Sequence, residues 1–254
     1  EDYSETTAVG IDETSKKGHN YITVAVDLKE KKVIFVVDGK DSSTVKAFAE
    51  DFALHGGVPD KIGIVTCDMS LGFRKGISEK FKNANMIIDK FHVIKHANEA
   101  VDSTRKAEAK TNAELKKTKY IWLKNEKNLT DSQKEKKESL MKLHLKTGRA
   151  LMMREELQDI YESAGSRETA ESRMNALCSW IMHSRISEMK PFAKLIKNHL
   201  AEILNYFDCN YTNAILEGMN SIIQNIKRRA RGFRNTEFFK TMIYLVCGKL
   251  PLEK

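Results

Sequence analysis

The first ninety residues alternate between β-rich and helical patterns, and this order constrains the fold more than any other feature. Three runs rich in Val, Ile and Phe come first, with turn-like residues between them. Strands are predicted at Thr6–Glu13, Tyr21–Leu28, Lys32–Asp38, Lys61–Cys67 and Asn85–Asp89, and helices at Thr44–His55 and Leu71–Lys82. This order, β-β-β-α-β-α-β, predicts an α/β fold in which helices flank a mixed five-stranded sheet.

Ser42 or Ser43 is expected to cap the first helix of the α/β segment, at Thr44–His55. Beyond the α/β segment, the rest of the chain is helical in pattern. A long helical block runs from Phe91 to about Leu204, with Trp122 and Trp180 as expected core anchors. Two last helices are predicted at about Asn213–Arg231 and Thr236–Cys247, separated by Gly232.

Composition excludes several classes of protein. Of the 254 residues, 41% are hydrophobic, which is enough for a core and argues against disorder. No apolar run approaches the roughly 20 residues that span a bilayer. The four cysteines form no CxxC pair, so neither a zinc ribbon nor a disulfide framework is indicated. We expect a soluble protein of the reducing cytoplasm, without a membrane partner. Because the sequence begins at Glu1 without Met, we also expect a fragment of a longer protein.

Positive charge is unevenly distributed along the chain. Lys and Arg number 43 against 35 Asp and Glu, a net charge of +8. Residues 1–97 are close to neutral, so the basic excess falls in 98–204 and 205–254. Such an excess suits a nucleic acid, although many helical proteins are mildly basic without binding one.

Two aspartates end up near each other if the predicted strands pair as expected. Asp12 lies in the first strand, and Asp68 closes the fourth. Alone, Asp12 is an ordinary polar residue at an emerging strand, and Asp68 an ordinary helix N-cap. In a β-β-β-α-β order, the fourth strand can run parallel beside the first and bring the two carboxylates together. Neighbouring carboxylates repel unless a divalent cation neutralises them, so the pair indicates a candidate metal site.

Glu217 lies on the polar side of the first of the two last helices. The opposite side carries an apolar stripe at helical spacing: Ile215, Met219, Ile222, Ile223 and Ile226. The side of Glu217 also carries Asn213, Asn220, Gln224, Arg228 and Arg231. This side is either a solvated helix face or the wall of a cleft. With Asp12 and Asp68, Glu217 would complete a set of hard oxygen ligands that suits two Mg²⁺ or Mn²⁺ ions and phosphodiester cleavage or transfer.

Five ordered sequence blocks carry a resemblance to a known family. They are Val9–Glu13, Cys67–Ser70 with Gly72 close behind, Asp89–Lys95, Asn213–Asn220 and Ile226–Asn235. Together they resemble the catalytic domain of DDE transposases of the ISL-three insertion-sequence family over nearly the whole chain. Five blocks in order are far more specific than any single aspartate.

The resemblance implies a fold, a chemistry and a set of partners. It implies a ribonuclease-H-like core formed by 1–97 and 205–254, with 98–204 as a helical insertion. Asp12, Asp68 and Glu217 would be the catalytic, metal-binding triad for DNA cleavage and joining. The partners would be transposon ends and target DNA, with a homo-oligomer assembled on them, in the nucleoid of a bacterial cytoplasm. Complete members carry an N-terminal zinc-binding and helix-turn-helix region that recognises the element ends, and the sequence has no counterpart of it.

Basic residues cluster at the end of the helix that carries Glu217. Lys227, Arg228, Arg229, Arg231 and Arg234 are the candidate DNA-binding residues. Cations at a helix C-terminus also complement the helix dipole, which is the ordinary interpretation. On the face of the carboxylate, they would contact phosphates without reading bases.

Three further residues are candidate neighbours of the active site: Asp89, His92 and Asn220. Asp89 and His92 belong to the third block of the resemblance, and Asn220 to the fourth. His92 and His96 are four residues apart and could form half of a zinc site, but no HExxH motif or cysteine pair accompanies them.

The leading hypothesis is therefore a transposase catalytic core. In it, water cuts DNA at the element ends and the released 3′-hydroxyl attacks target DNA. Two alternatives stay open: a ribonuclease-H-like nuclease that cleaves without joining, and a catalytically silent remnant that binds DNA.

Overall fold

The computed structural model describes residues 1–17, 20–209, 211 and 214–250. The chain divides into two compact units. We call Glu1–Asp89 with Cys209–Lys254 the sheet unit, and Lys90–Asp208 the helical unit. The sequence-predicted limits, at 97/98 and 204/205, differ from these by four to eight residues.

The secondary structure follows the predicted order. The strands are β1 Ala8–Lys17, β2 Asn20–Asp27, β3 Lys32–Asp38, β4 Ile64–Cys67 and β5 Asn85–Ile88. The helices are α1 Ser42–Leu54, α2 Leu71–Lys80, α3 Lys90–Glu108, α4 Lys119–Leu123, α5 Asp131–Met141, α6 Lys146–Ser163, α7 Arg167–His183, α8 Lys190–Asn198, α9 Leu200–Asp208, α10 Ala214–Arg229 and α11 Thr236–Cys247. Short 3-10 turns lie at Pro59–Lys61, Ala113–Leu115, Glu126–Asn128 and Ser187–Met189.

The sheet is mixed and five-stranded, as predicted. Its strand order is β3-β2-β1-β4-β5. β2 pairs antiparallel with both β1 and β3, whereas β4 pairs parallel with both β1 and β5. The meander thus forms one side of the sheet, and the two strands that alternate with helices form the other.

β1 is longer than the sequence indicates, and this changes the position of Asp12. β1 pairs with β2 from Val9 to Lys17, whereas it pairs with β4 only from Ala8 to Gly10, which lies opposite Thr66. Asp12 therefore lies in the interior of β1, opposite Val24 on β2, and two residues beyond the last pair with β4. The hairpin with β2 carries the strand past the point where the prediction ended it.

Helices cover both faces of the sheet. On one face, α1 and α2 pack over a core that includes Ile11, Phe48 and Phe73. On the other face, α10 and α11 pack over a core that includes Val24, Leu216 and Phe239. Each fully buried side chain of this size contributes about 1.5–3 kcal/mol through burial. Both faces of the sheet are thereby closed within the sheet unit.

Three sequence predictions about side chains are wrong. Asp41, not Ser42 or Ser43, caps α1, because its Oδ1 accepts hydrogen bonds from the Ser43 N–H at 2.8 Å and from the Ser43 hydroxyl at 2.6 Å. Ile222 is 39% exposed and so lies at the edge of the expected core stripe. Trp122 is fully buried as predicted, but Trp180 is 40% exposed.

Two tyrosines contact the outer edge of β3. The Val36 N–H donates to the Tyr244 hydroxyl at 2.8 Å, and the Tyr3 hydroxyl donates to the Ile34 carbonyl at 3.0 Å. Burial raises the pKa of Tyr244 to about 12, and burial likewise raises the pKa of Tyr3. Both hydroxyls therefore stay protonated and neutral over the physiological pH range.

The helical unit is held together by ion pairs as well as by its core. Arg105 donates to the buried Asp102 through Nε at 2.8 Å and Nη2 at 2.7 Å. Glu108, at the end of α3, accepts backbone hydrogen bonds from the first residues of α6, Lys146 and Thr147, at 2.9 and 2.8 Å. In the described ranges, no helix combines the length and the apolar character needed to cross a membrane.

Candidate active site

Asp12 and Asp68 follow two paired positions of adjacent parallel strands. Gly10 of β1 pairs with Thr66 of β4, and each aspartate comes two residues later in its own strand direction. Paired residues of parallel strands point to the same face of a sheet, and alternate residues share that face. Both aspartates thus lie two residues beyond the last pair of β1 with β4 and point to the same face, and both are half-buried.

Neutral donors hold the carboxylate of Asp12. Its Oδ1 accepts from the Glu13 N–H at 2.8 Å, and its Oδ2 accepts from the Asn220 side-chain amide at 2.6 Å. Both donors fix the orientation of the carboxylate without neutralising its charge. A carboxylate oxygen has two lone pairs, so each can accept a hydrogen bond and still serve a cation.

Asp68 shapes the turn between β4 and α2. Its Oδ1 accepts from the Ser70 N–H at 2.8 Å. The N-cap position of α2 is Ser70, so the ordinary interpretation of Asp68 as a helix cap is wrong. The bond closes a short turn two residues ahead, of the kind that aspartate commonly forms.

α10 lies close along β1 because β1 has a glycine where the helix approaches. A Cβ at Gly10 would lie 2.6 Å from Leu216 Cδ1, closer than two carbon atoms can approach. Leu216 is buried in the core beneath α10, and Glu217 follows it on the next position of the helix. Glu217 is half-buried, in the helical turn between the residue that contacts Gly10 and the residue that contacts Asp12. Asn213, which the sequence prediction placed at the start of this helix, lies outside the described residues.

Three polar contacts join α10 to β1. Asn220 donates to Asp12, the Gln224 amide donates to the Thr14 hydroxyl, and Lys227 Nζ donates to the Ser15 carbonyl at 2.8 Å. α10 and β1 therefore run in the same direction, and each further turn of the helix contacts a position one or two residues further along the strand. Sequence patterns did not reveal Thr14 as a partner, since a threonine in a strand is unremarkable. Gly10 within an apolar strand was the one available signal of close approach.

The donor set fits a divalent cation in its chemistry. Asp12, Asp68 and Glu217 supply hard carboxylate oxygens, which Mg²⁺ and Mn²⁺ prefer. Among the residues that the structure describes, however, no three His, Cys, Asp or Glu side chains are arranged to hold a metal ion together. The backbone elements carry the three carboxylates, but the ligand geometry itself is not formed in this side-chain arrangement.

The candidate DNA-binding residues divide into two groups. Lys227 is half-buried and bonded to the Ser15 carbonyl, so it fastens α10 to β1. The other four are exposed: Arg228, Arg229, Arg231 and Arg234.

α10 ends at Arg229, two residues earlier than predicted, so Arg231 does not share a helix face with Glu217. The Gly232 N–H donates to the Lys227 carbonyl and the Arg231 N–H to the Arg228 carbonyl, which closes the helix end. Arg231 occupies the left-handed region at φ 52° in this turn, and Gly232 follows at φ 93°.

The remaining candidates lie at the junction of β5 and α3. Asp89 is buried, and its N–H donates to the Cys67 carbonyl at 3.0 Å, which continues the β4–β5 pairing to the residue after β5. His92 is half-buried on α3, in the helical unit. His96 contacts Glu99 through Nδ1 at 3.1 Å. Asn220, the third predicted neighbour, donates a hydrogen bond to Asp12 of the predicted triad.

Comparison with known proteins places these elements in a family. The sequence profile of the ISL-three DDE family, described as transposase, matches residues 9–243. The transposase for insertion sequence element IS1001 of Bordetella parapertussis is 28% identical over 250 residues, which cover 94% of this chain and 60% of that protein. The transposase for insertion sequence element IS1557 of Mycobacterium tuberculosis (strain CDC 1551 / Oshkosh) is 26% identical over 273 residues, which cover 96% of this chain and 61% of that protein.

The matched region defines what is shared. It begins in β1 before Asp12 and ends in α11, so it contains every residue of the proposed triad. The chain spans about three fifths of the length of the two relatives. The resemblance found in the sequence is thus confirmed over most of the chain, and the chain belongs to the family of DDE transposases of ISL-three insertion sequences.

Proposed function

We propose that this chain is the catalytic core of a DNA transposase, which cleaves and joins DNA strands at the ends of an insertion sequence. In this proposal the sheet unit is a ribonuclease-H-like catalytic domain, and the helical unit is an insertion before the last catalytic helix. The five-stranded mixed sheet with flanking helices is compatible with that fold.

One observation carries the proposal most directly. The 2.6 Å hydrogen bond from Asn220 to Asp12 ties the helix of Glu217 to the strand of Asp12, and β4 with Asp68 pairs parallel beside that strand. Three elements that are distant in sequence thus meet at one region of the sheet. Their carboxylates are the oxygen ligands that phosphoryl transfer enzymes use for divalent cations.

The three carboxylates divide the work of the site. Asp12 would hold Mg²⁺ or Mn²⁺ from β1 and Asp68 from the turn after the neighbouring β4, and Glu217 would complete the ligand set from α10. When bound, a pair of such ions supplies the positive charge that supports in-line displacement at a phosphodiester. Asp12 is kept in one orientation by the Glu13 N–H and the Asn220 amide. The turn bond from Ser70 likewise orients Asp68.

Exposed arginines beyond the Glu217 helix would hold DNA by its phosphates. Arg228, Arg229, Arg231 and Arg234 lie at or just after the end of α10. Guanidinium groups bind phosphate through two parallel hydrogen bonds, without reading base sequence. Binding of this kind weakens as salt concentration rises. We propose transposon ends and target DNA as the substrates, a homo-oligomer assembled on them, and the bacterial nucleoid as the location.

The test combines metal binding with DNA chemistry. Asp12→Asn, Asp68→Asn and Glu217→Gln should each lower Mn²⁺ affinity in isothermal titration calorimetry. Each should also lower Mn²⁺-dependent nicking of supercoiled plasmid by at least about 100-fold, because a removed ligand weakens both. Glu79→Gln, an exposed carboxylate on α2, is the matched control and should match the wild type. Unchanged Mn²⁺ affinity and nicking in Asp68→Asn would contradict the assignment.

Two outcomes separate the alternatives. Pre-cut element ends joined to a target plasmid support a transposase, whereas nicking without joined products supports a nuclease. DNA binding with neither nicking nor Mn²⁺ binding in the wild type supports a catalytically silent remnant.

A further inference from the structure

Asn220 differs from its two neighbours in the contact between α10 and β1. All three donate hydrogen bonds to the strand, but Gln224 donates to a hydroxyl and Lys227 to a backbone carbonyl. Asn220 alone of these three donates to a carboxylate, that of Asp12. The bond is also short, at 2.6 Å, as expected when the acceptor is charged.

The two carboxylate oxygens of Asp12 accept hydrogen bonds from two different elements. Oδ1 accepts from the strand itself, through the Glu13 N–H, and Oδ2 accepts from the helix, through Asn220. The Glu13 bond alone leaves the plane of the carboxylate free to tilt. The second bond removes that freedom, because it fixes the other oxygen against a helix that is packed on Gly10.

We propose that Asn220 is a positioning residue for the divalent-cation site, and that its amide orients the Asp12 carboxylate to receive the ion. This inference rests on the proposed function. It assigns Asn220 no contact with DNA or with the reacting atoms.

The amide is chemically suited to this role. A lysine or arginine at this position would neutralise Asp12 and compete with the cation for its oxygens. An aspartate or glutamate would repel it. A neutral donor fixes the carboxylate and preserves its charge, which is how partners behind metal ligands act in many metalloenzymes.

Asn220 also links Asp12 to Glu217. The two α10 residues are three positions apart and lie on neighbouring parts of one helix face. The bond to Asp12 therefore fixes where along β1 the helical turn that carries Glu217 lies. One side chain thus couples two of the three proposed ligands.

The experiment measures Mn²⁺ affinity by isothermal titration calorimetry in Asn220→Ala and Gln224→Ala. Gln224→Ala is the matched control because it breaks a neighbouring contact of the same helix with the same strand. Asn220→Ala should weaken Mn²⁺ binding about 10- to 100-fold, as loss of a partner behind a metal ligand typically does. Gln224→Ala should stay within about twofold of the wild type, since it leaves Asp12 untouched.

Asn220→Leu guards against a folding defect in the alanine variant. Leucine keeps the branched shape of asparagine, with two methyl groups in place of the amide oxygen and nitrogen, and removes the donor, so it should weaken Mn²⁺ binding as much as alanine does. Wild-type affinity in both Asn220 variants would overturn the inference, as would an equal loss in Gln224→Ala. Asp12→Asn distinguishes failure of the inference on Asn220 from failure of the proposed function. If Asp12→Asn also binds Mn²⁺ like the wild type, the assignment of the metal site itself is wrong.

Discussion

In the helical unit, Asp102, Glu156 and the exposed Asp159 face arginines, whereas in the sheet unit the hydrogen bonds described for Asp12 and Asp68 come from neutral N–H groups. Asp102 lies against Arg105, and Arg173 bridges Glu156 and Asp159 at 2.8 and 2.6 Å. Asp12 instead accepts from a backbone N–H and an amide. An arginine balances the charge of the carboxylate that it contacts, and such a pair stabilises the helix, or the contact between helices, that carries it. A neutral donor orients a carboxylate and adds no charge that would balance it.

The largest effect that tests this contrast is expected in the helical unit. Arg105→Ala should lower the free energy of unfolding by about 2 kcal/mol, because the buried Asp102 loses both hydrogen bonds from Arg105 and keeps Lys106 as its charged partner. Urea denaturation followed by circular dichroism measures the loss. Asp12→Asn, the counterpart in the sheet unit, should change stability by less than about 1 kcal/mol, since asparagine can keep one of the two hydrogen bonds. Similar losses in both variants would erase the distinction between the units.

Acid should weaken the helical unit through the same carboxylate. Burial alone would raise the pKa of Asp102, but hydrogen bonds from Lys106 and Arg105 and their charges outweigh it and lower the pKa. A lowered folded-state pKa means that the unfolded chain binds the proton first as pH falls. The stabilisation is therefore complete above the ordinary aspartate pKa of about 3.9 and is lost as pH falls through the folded-state pKa.

The variant Asp102→Asn isolates that contribution. As pH falls below about 5, the free energy of unfolding of this variant should fall less steeply than that of the wild type. The difference in free energy that accumulates over this range should be smaller than the loss in Arg105→Ala. Urea denaturation at a series of pH values measures both slopes. Parallel slopes would show that Asp102 does not contribute to acid sensitivity.

The smallest effect concerns the charges that the sheet unit leaves exposed. Arg231→Gly should raise stability by up to about 1 kcal/mol, because glycine adopts the left-handed conformation without strain. It should also weaken DNA binding and lower the salt-dependence slope by about one, since one phosphate contact is lost. Fluorescence anisotropy with a DNA duplex at several salt concentrations measures this.

Arg231→Gln separates conformation from charge. It removes the same positive charge and keeps a side chain in the left-handed region, so DNA binding should fall without a gain in stability. Equal stability in the two variants would show that the backbone at Arg231 stores no strain. Unchanged DNA binding in both would remove Arg231 from the proposed DNA surface.

Periodic apolar patterns in the sequence predicted the order of strands and helices along the first ninety residues, because burial on both faces of a sheet leaves a strong local signal. What they could not predict was set by contacts distant in sequence. β1 extends past Glu13 because β2 pairs with it to Lys17. Ile222 was assigned to the core from its spacing, yet it lies beyond the edge of the surface that α10 packs against.

The candidate site shows the same division. Asp12, Asp68 and Glu217 were proposed from the expected strand pairing, from the polar helix face and from the blocks of the family resemblance. The comparison confirmed the family, and the roles of the three carboxylates stay a prediction. The bond between Asn220 and Asp12 joins residues 208 positions apart, and no local pattern encodes it. The end of α10 at Arg229 was predicted two residues too late for another reason. The first left-handed residue after a helix is usually glycine, whereas here it is Arg231, and Gly232 comes one residue later.

The two tyrosines at β3 determine where the sheet stops. An edge strand offers unpaired N–H and C=O groups, to which a strand of another molecule can add. At Ile34 and Val36 these groups are already bonded to the hydroxyls of Tyr3 and Tyr244, one from the N-terminal segment and one from α11. A neighbouring copy of the chain would therefore meet a blocked edge at these positions. At high protein concentration these two bonds disfavour sheet extension at Ile34 and Val36, which protects the protein against aggregation through this part of the edge.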